Sequence, residues 1–298
     1  MTISAAEDIR ALLKQSADEV NLALDARLAD LDPCPPTLAE AMRYSLHAGG
    51  KRLRPILVLW CCEACGGDRD QAMPSALAIE CVHTFSLIHD DLPALDNDDF
   101  RRGRPANHRK FGEALAILAG DALLALAFEI LSEDVSDQAL SVAMMRELST
   151  ASGGSGMIGG EVLDLAGQSS EPNVDEVARI HAAKTARLIQ GACRLSGTAA
   201  RAETSRFNAL SEYGHALGLA FQVVDDLLDV TGNMEDTGKQ TGKDADAGKQ
   251  TYPRAVGVEE SRRIADDMFE RAIAALAPLG SAASRLTTLA RYVVERNS

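Results

Sequence analysis

Five aspartates lie between residues 90 and 99, directly after an apolar stretch that ends at Ile88. Three arginines follow them by residue 104. Carboxylates at this density repel each other and are costly to desolvate unless a cation joins them. Oxygen ligands favour Mg²⁺ or Mn²⁺ over zinc, and Mg²⁺ often shares its coordination with substrate phosphates, which arginines also bind. The pattern indicates a metal-assisted phosphate site, and a solvated acidic loop is the alternative.

A second acidic group, Asp225, Asp226 and Asp229, lies near the end of a predicted helix over residues 203–230. Asp225 and Asp229 are four residues apart, so they share one face of that helix. The apolar residues GLAFQVV before them indicate that the helix faces the core there. Two like charges on an inward face need a counter-cation, which makes this group a second candidate metal site. A solvated helix face is the alternative.

Basic residues gather at three places, 51–54, 101–104 and 239–249. Lys51, Arg52 and Arg54 come at the start of a predicted helix, where the helix end and the forked guanidinium donors attract anions. A surface cluster with snorkelling side chains is the alternative there. Carboxylates that hold Mg²⁺, and cations that cap a diphosphate, together supply what carbon–oxygen ionisation requires.

The elements that must position these groups are predicted to be helices. Apolar residues recur at helical spacing, and proline and glycine mark the ends. The predicted helices cover residues 5–30, 38–47, 55–65, from Pro74 to the first acidic cluster, from about 112 to 131, 137–151, 174–198, 203–230, 259–276 and 282–296. Residues 107–111 are a predicted loop, and the lysine-rich segment 231–250 a predicted linker or lid. Without a convincing strand pattern, the sequence indicates one all-α bundle over residues 1–298.

Composition narrows the class of protein. Of 298 residues, 46% are hydrophobic but only 4% aromatic, which favours helices over strands. The net charge of −14 disfavours nucleic acid and stable association with anionic membranes. The six cysteines lack the spacing of a disulfide framework, and one CxxC without a second pair indicates buried thiols rather than zinc. With no signal peptide and no long uncharged apolar run, we expect a soluble cytoplasmic protein.

Several motifs occur in a specific order along nearly the whole chain. They are GGKRLRP at 49–55, HTFSLIHDDLPALDNDDFRRGRPANH at 83–108, FGEALAILAGDALL at 111–124, GMIGGEVLDL at 156–165, KT at 184–185, FQVVDDLLD at 221–229 and GKQTGKD at 238–244. With them the chain resembles the trans-isoprenyl diphosphate synthases, most closely the bacterial farnesyl diphosphate synthases (geranyltranstransferases). The resemblance implies a helical bundle around a deep central cavity, usually a homodimer. It also implies Mg²⁺-dependent head-to-tail condensation of isopentenyl diphosphate with dimethylallyl or geranyl diphosphate to (2E,6E)-farnesyl diphosphate.

The resemblance also implies a role for each matching residue. The metal ligands, for three Mg²⁺ ions, would be Asp90, Asp91, Asp96, Asp225, Asp226 and Asp229. The allylic diphosphate would be bound by Arg101, Lys184, Lys239 and Lys249, and isopentenyl diphosphate, without metal, by Lys51, Arg54, His83 and Arg102. Oxygen dipoles of Thr185 and Gln222 would stabilise the allylic cation. With Lys184 and Lys239 these two residues form the predicted catalytic set, and the released diphosphate would act as the base.

Some positions are open to other interpretations. Glu161 departs from the family pattern, which more often has Gln in GGQxxDL, so its effect on diphosphate binding is open. Asp164 is expected to support the metal site without binding metal itself. His83 has a core histidine as its alternative, and His89 is expected to be structural. Lys243 matches a variable position, and a solvated side chain is its alternative.

Product length is predicted from Phe85 and Ser86, five and four residues before Asp90. At 1.5 Å per residue, Phe85 lies about 7.5 Å down the helix from that aspartate, where a growing prenyl tail would meet its ring. In the family, an aromatic residue here together with the four-residue spacer LPAL goes with C15 products. Core packing is the alternative role for Phe85, and a C20 geranylgeranyl product is the next expectation.

Two other classes compete with this interpretation. A class I terpene cyclase shares the first acidic motif, but usually carries an Asn/Ser/Glu metal motif where this chain has DDLLD, and needs no isopentenyl site. A non-catalytic subunit of a prenyl synthase typically lacks one acidic motif, whereas both are intact here. The sequence therefore favours a prenyltransferase whose partners are small prenyl diphosphates and a second copy of the chain.

Overall fold

The computed structural model describes residues 5–29, 31, 33–168, 170–231 and 249–295. Its regular structure is almost entirely helical, which confirms the all-α prediction. The elements are α1 Ala5–Ala29, α2 Pro36–Leu46, α3 Leu53–Ala64, α4 Arg69–Asp90, β1 Phe100–Arg101, β2 Arg104–Pro105, α5 Asn107–Phe111, α6 Glu113–Glu133, α7 Gln138–Ser152, α8 Met157–Gly167, α9 Val174–His181, a π-helical segment Ala182–Ala186, α10 Arg187–Ala199, α11 Thr204–Thr231, α12 Tyr252–Val256, α13 Val258–Ala275, a 3₁₀ segment Ala277–Ala283 and α14 Ser284–Val294.

The chain divides into two compact units. The first unit consists of Met1–Leu59 and Asp70–Met145, and the second of Trp60–Arg69 and Arg146–Ser298. The boundary passes through α3 and α7, and it also separates Arg69 from the rest of α4. A single domain around a deep cavity stays a prediction.

The first unit contains the buried start of α3. Residues 56–59 of α3 are completely buried, as expected of a helix that is apolar all round. Arg27 of α1 binds Glu129 and Glu133 of α6 at 2.7 and 2.8 Å, which ties two long helices together. The hairpin β1–β2 pairs Arg101 with Arg104. It begins at Phe100, directly after the aspartate cluster.

The second unit is organised around α11, which packs mainly against α10 and α13. One core cluster joins Val223 and Val224 of α11 to Val177, Tyr252 and Ala265. The buried hydroxyl of Tyr213 donates to the carbonyl of Leu286 at 2.8 Å and so holds α14 on α11.

All six cysteines are free thiols. Four of them are buried, Cys61, Cys62, Cys81 and Cys193. Burial is the leading cause that raises the pKa of the Cys62 and Cys81 thiols to about 12, so they stay protonated and unreactive near neutrality. This agrees with the prediction of buried thiols.

Several predicted boundaries were wrong. Helix α4 begins at Arg69, and Pro74 lies inside it; because Pro74 has no N–H, the second turn loses only one backbone hydrogen bond. Residues 107–111, predicted as a loop, form α5, whose Asn107 side chain donates to the Ala41 carbonyl and the Ser45 hydroxyl at 2.9 and 2.8 Å. A five-residue helix held by such tertiary contacts is too short to show a periodic pattern.

Two further elements were not predicted. The helix predicted over residues 174–198 is interrupted by the π-helical segment, which an extra residue in one turn produces without altering the composition. Helix α12 occupies residues 252–256 directly after the predicted lid, most of which lies outside the described residues.

Helix α6 is the most apolar helix of the first unit. By length and composition alone it is sufficient to cross a membrane, but 44% of its most apolar window is buried inside the protein. Core helices of soluble proteins meet the same criterion, so this observation is weak, and the expectation of no stable membrane association stays a prediction.

The buried pair Arg52–Glu80 gives the first testable prediction. Its atoms lie 2.5 Å apart and both side chains are only 2% exposed. Replacing Glu80 by Ala leaves a buried guanidinium without its charge partner, and should lower the free energy of unfolding by about 3–5 kcal/mol. Urea denaturation measures the change.

The matched control is Asp18→Ala, which breaks the Lys14–Asp18 pair, whose side chains are 77% and 61% exposed. An exposed pair contributes little, so the control should lose no more than about 0.5 kcal/mol. Equal losses in both variants would show that the Arg52–Glu80 pair is not a structural anchor of the first unit.

Candidate active site

The first aspartate cluster is shaped by a turn at the end of α4. The backbone N–H of Asp96 donates to the carbonyl of Asp90 at 2.8 Å, and that of Asn97 donates to Leu92 at 3.1 Å. Asn97 takes a left-handed conformation with φ of 50°, which its short polar side chain tolerates. The turn therefore brings the backbones of Asp90 and Asp96 together across six residues, and both side chains are half-buried.

Asp91 differs from these two residues because it is almost completely buried, with 2% exposure. The guanidinium of Arg101 donates to Asp91 Oδ1 through Nε at 2.8 Å and through Nη2. Burial raises the pKa of Asp91, although Arg101 opposes the shift. The structure thus brings two predicted site residues together as an ion pair, in which Asp91 orients Arg101.

The predicted isopentenyl diphosphate residues also lie in the first unit. Arg54 Nη1 lies 3.3 Å from His83 Nε2. Burial, followed by the charges of Arg54 and Arg102, lowers the pKa of His83 well below its ordinary value, so the ring is neutral near pH 7. His83 is therefore part of a cationic cluster rather than an isolated core histidine. Lys51, three residues before Arg54 in the chain, is exposed.

Arg102 joins this cluster from the hairpin. Its guanidinium donates to the carbonyl of Gly49, and a Cβ at Gly50 would collide with it. Gly50 also has a φ of 120°, which disfavours any other residue. The glycine pair before Lys51 therefore lets Arg102 approach the backbone.

Arg52 does not belong to this group, which corrects the interpretation of 51–54 as three cations at a helix entrance. Arg52 is 4% exposed and binds Glu80, Asn21 Oδ1 at 2.9 Å and the carbonyl of Leu46. These partners come from three other parts of the chain, so spacing alone did not reveal them.

In the second unit, Lys184 lies in the π-helical segment and contacts α8. Its Nζ lies 2.6 Å from Glu161 Oε2 and 2.6 Å from Asp164 Oδ2. Burial lowers the pKa of Lys184, but Asp164 and Glu161 raise it by more, so the ammonium stays charged. A Cβ at Gly160 would collide with the backbone nitrogen of Lys184. Gly160 thus allows α8 to pack closely against the π-helical segment.

Thr185, the next residue, begins a chain of hydrogen bonds. Its hydroxyl donates to Gln222 Oε1 at 2.9 Å, and Gln222 Nε2 donates to Asp226 Oδ1 at 3.1 Å. Asp226 Oδ2 accepts from the backbone N–H of Tyr252 at 3.0 Å. Because Thr185 uses its hydrogen on Gln222, its remaining polar capacity is lone pairs. The chain joins three of the predicted site residues.

Asp225 and Asp229 differ from Asp226 in their exposure to solvent. Both are half-buried, whereas Asp226 is 2% exposed. In the described ranges, no three side chains of His, Cys, Asp or Glu converge on one point. Mg²⁺ commonly uses one or two carboxylates together with water and substrate oxygens. The carboxylates Asp90 and Asp96 in the first unit, and Asp225 and Asp229 in the second, each have the donor type that this ion prefers.

Comparison with known proteins decides the family. Residues 35–279 match the family model described as polyprenyl synthetase. The chain belongs to the polyprenyl synthetase family. It is 41% identical over 285 residues to farnesyl diphosphate synthase of Micrococcus luteus, covering 96% of this chain and 98% of that protein.

A second relative carries a different product name. The chain is 43% identical over 302 residues to geranylgeranyl pyrophosphate synthase 9, chloroplastic, of Arabidopsis thaliana, covering 99% of this chain and 83% of that protein. The solved structure of an FPP/GFPP synthase from Zymomonas mobilis matches with a TM-score of 0.85 and 38% identity, over 97% of this chain and 99% of that one. This polyprenyl synthetase is a prenyltransferase of isoprene biosynthesis with trans-prenyl diphosphate synthase activity.

Some predicted residues of this polyprenyl synthetase have other contacts or lie outside the described ranges. Phe85 is 5% exposed and its ring meets His89 edge-on at 5.7 Å, while the Ser86 hydroxyl donates to the His83 carbonyl at 2.9 Å. His89 Nε2 lies 3.0 Å from the carbonyl of Ile117, which agrees with a structural role.

Lys239 and Lys243 are among the residues that the structure does not describe. Lys249 is half-buried, and its carbonyl accepts from Arg254.

Two residues near this site were missed from the sequence. His181 lies 3.6 Å from Asp226 Oδ2, and burial lowers its pKa to about 4, so it is neutral near pH 7. The side chain of Gln250 donates to the carbonyls of Gly167 and Ser170 and so holds the segment before Tyr252. Neither contact had a local signal, because the partners are up to 83 residues apart.

The close packing at Gly160 gives the second prediction. Gly160→Ala places a methyl group against the backbone of Lys184, and overpacking of this kind should lower the free energy of unfolding by about 1–3 kcal/mol. Urea denaturation measures it. Gly154→Ala is the control, because a Cβ there meets nothing within 4 Å, and it should shift stability by no more than about 1 kcal/mol. An unchanged Gly160 variant would show that α8 does not need this close approach.

Proposed function

We propose that this prenyltransferase condenses isopentenyl diphosphate with dimethylallyl and then geranyl diphosphate to give (2E,6E)-farnesyl diphosphate. The proposed product length rests on Phe85, whose bulky ring is 5% exposed and lies on the helix that ends at Asp90. At 1.5 Å per residue, the ring lies about 7.5 Å before the first aspartate. A prenyl tail that extends along α4 from a diphosphate near Asp90 would be stopped there.

Mg²⁺ supplies the charge that a departing diphosphate requires, and we propose that it binds the two aspartate motifs as three ions per active site. Asp90 and Asp96, joined by a backbone hydrogen bond, would hold two of them, and Asp225 would hold the third. Asp229 lies on the same helix face as Asp225 and assists it. Asp91 and Asp226 contribute by orienting Arg101 and Gln222, which they contact.

The cationic residues divide into two sets in this proposal. The allylic diphosphate is bound by Arg101, Lys184, Lys239 and Lys249. Isopentenyl diphosphate is bound without metal by Lys51, Arg54, His83 and Arg102.

The neutral His83 ring holds Arg54 in place and leaves the positive charge to the guanidinium groups. The oxygen lone pairs of Thr185 stabilise positive charge on the allylic carbon, because its hydrogen is directed to Gln222. The released diphosphate takes the proton.

A C20 product is the second candidate, because one named relative is a geranylgeranyl pyrophosphate synthase. We also propose a homodimer in the cytoplasm. The exposed apolar side chains Ile117 and Leu118 on α6 support a second copy as partner, and six free thiols support a reducing compartment.

The third prediction concerns the product. With Mg²⁺ and isopentenyl diphosphate, the enzyme should elongate C5 and C10 allylic diphosphates to C15 and leave a C15 diphosphate unused. Phe85→Ala should remove the barrier and give C20 or longer products, measured by chromatography of the dephosphorylated alcohols.

Leu77→Ala, on the same helix and equally 5% exposed, is the matched control and should keep the C15 product. C15 output from the Phe85 variant would assign that residue to packing alone, and C20 output from the native enzyme would favour the second candidate.

The fourth prediction concerns the metal ligands. Asp90→Asn and Asp225→Asn keep the size of each side chain but remove its charge, so each should lower turnover about 100-fold or more. The variants should also need more Mg²⁺ for half-maximal rate. Circular dichroism should show unchanged helicity, and Asp18→Asn on α1 should behave like the native enzyme. A variant with native turnover and native Mg²⁺ dependence would remove that residue from the metal site.

A further inference from the structure

Lys184 is shared between two carboxylates that lie on one helix. Glu161 and Asp164 are three residues apart on α8, so their side chains project from the same face. Each places an oxygen 2.6 Å from the Lys184 ammonium. The three side chains are 16%, 8% and 23% exposed, for Glu161, Asp164 and Lys184 in that order. Screening by water is therefore incomplete, and the charges act strongly on each other.

The backbone leaves these charges little freedom to separate. Gly160 brings α8 against the backbone of Lys184, directly beside Glu161. The π-helical segment over Ala182–Ala186 displaces Lys184 from regular α-helical register, and such bulges frequently occur at functional sites. The contact between Glu161 and Lys184 is thus built into the packing of two elements, rather than formed by two long side chains meeting at the surface.

The net charge of Lys184, Glu161 and Asp164 affects how an anionic ligand binds there. One ammonium and two carboxylates leave a net charge of −1, so the group as a whole does not attract an anion. The Lys184 ammonium has three N–H donors and two carboxylate partners, so a diphosphate that approaches the third donor meets the negative charge of both carboxylates unless one of them moves away. Glu161 is the more exposed of the two and is therefore the partner that exchanges more readily.

We propose that Glu161 sets the affinity of the enzyme for the allylic diphosphate by competing with it for Lys184. Asp164 holds the ammonium in position, while the negative charge of Glu161 beside it opposes the approach of the diphosphate. Glu161 is thus a positioning residue that acts through Lys184. This inference rests on the proposed assignment of Lys184 to the allylic diphosphate.

Glu161→Gln tests the inference, because it keeps the shape of the side chain and removes the competing charge. The KM for geranyl diphosphate should fall roughly 3- to 10-fold, the range expected for loss of one partly exposed charge pair. The KM for isopentenyl diphosphate should not change. Isothermal titration with inorganic diphosphate and Mg²⁺ should show affinity tightened by the same factor. Glu161→Asp, which keeps the charge, should return both values towards those of the native enzyme.

The matched control is Glu147→Gln, which removes the charge from another partly buried pair of the second unit, with Arg194 at 2.6 Å. It should leave both KM values and diphosphate affinity unchanged. Unchanged or weaker diphosphate binding in Glu161→Gln would overturn the inference. If the Gln variant does not fold, Glu161→Met, of similar length and uncharged, carries the same expectation. Failure of the proposed function itself would instead appear as absence of prenyl product from the native enzyme, whereas diphosphate titration still tests Glu161.

Discussion

A carboxylate removed from water must be paired with a positive charge or with hydrogen-bond donors, and this constraint decides how the acidic residues of the chain are used. In the first unit, Glu80 is matched by Arg52 and Asp91 by Arg101. In the second unit, Asp226 accepts from Gln222 and from the backbone of Tyr252. The most buried acids therefore maintain the structure around the site, while the half-buried ones are the candidates for direct contact with metal.

The sequence predicted the features that depend on local spacing. The spacing of four positions from Asp225 to Asp229 was enough to put both on one helix face. The sequence identified Asp90 and Asp96 as members of one candidate metal site, but it did not predict the turn whose backbone hydrogen bond joins them. The order of the motifs indicated the family, which the match over residues 35–279 confirmed.

The sequence did not predict features whose partners come from elsewhere in the chain. Arg52 has the same side chain and nearly the same position as Arg54, yet one is buried against Glu80 and the other contacts His83. The π-helical segment around Lys184 was missed for a different reason. A single extra residue in one turn shifts the register of the rest of the helix without altering the composition of the segment.

The solvent exposure of an ion pair decides whether it can only stabilise the fold or can also exchange one partner for a ligand. Arg52 and Glu80 are each 2% exposed, so a ligand has no access to them and breaking the pair only costs stability. Lys184 and Glu161 are close enough for a strong pair, but their 23% and 16% exposure leaves the ammonium within reach of an incoming anion. A cation that binds substrate must be held before the substrate arrives and released to it afterwards. A partner such as Glu161, charged but partly exposed, meets both requirements, whereas a fully buried one would not give the cation up.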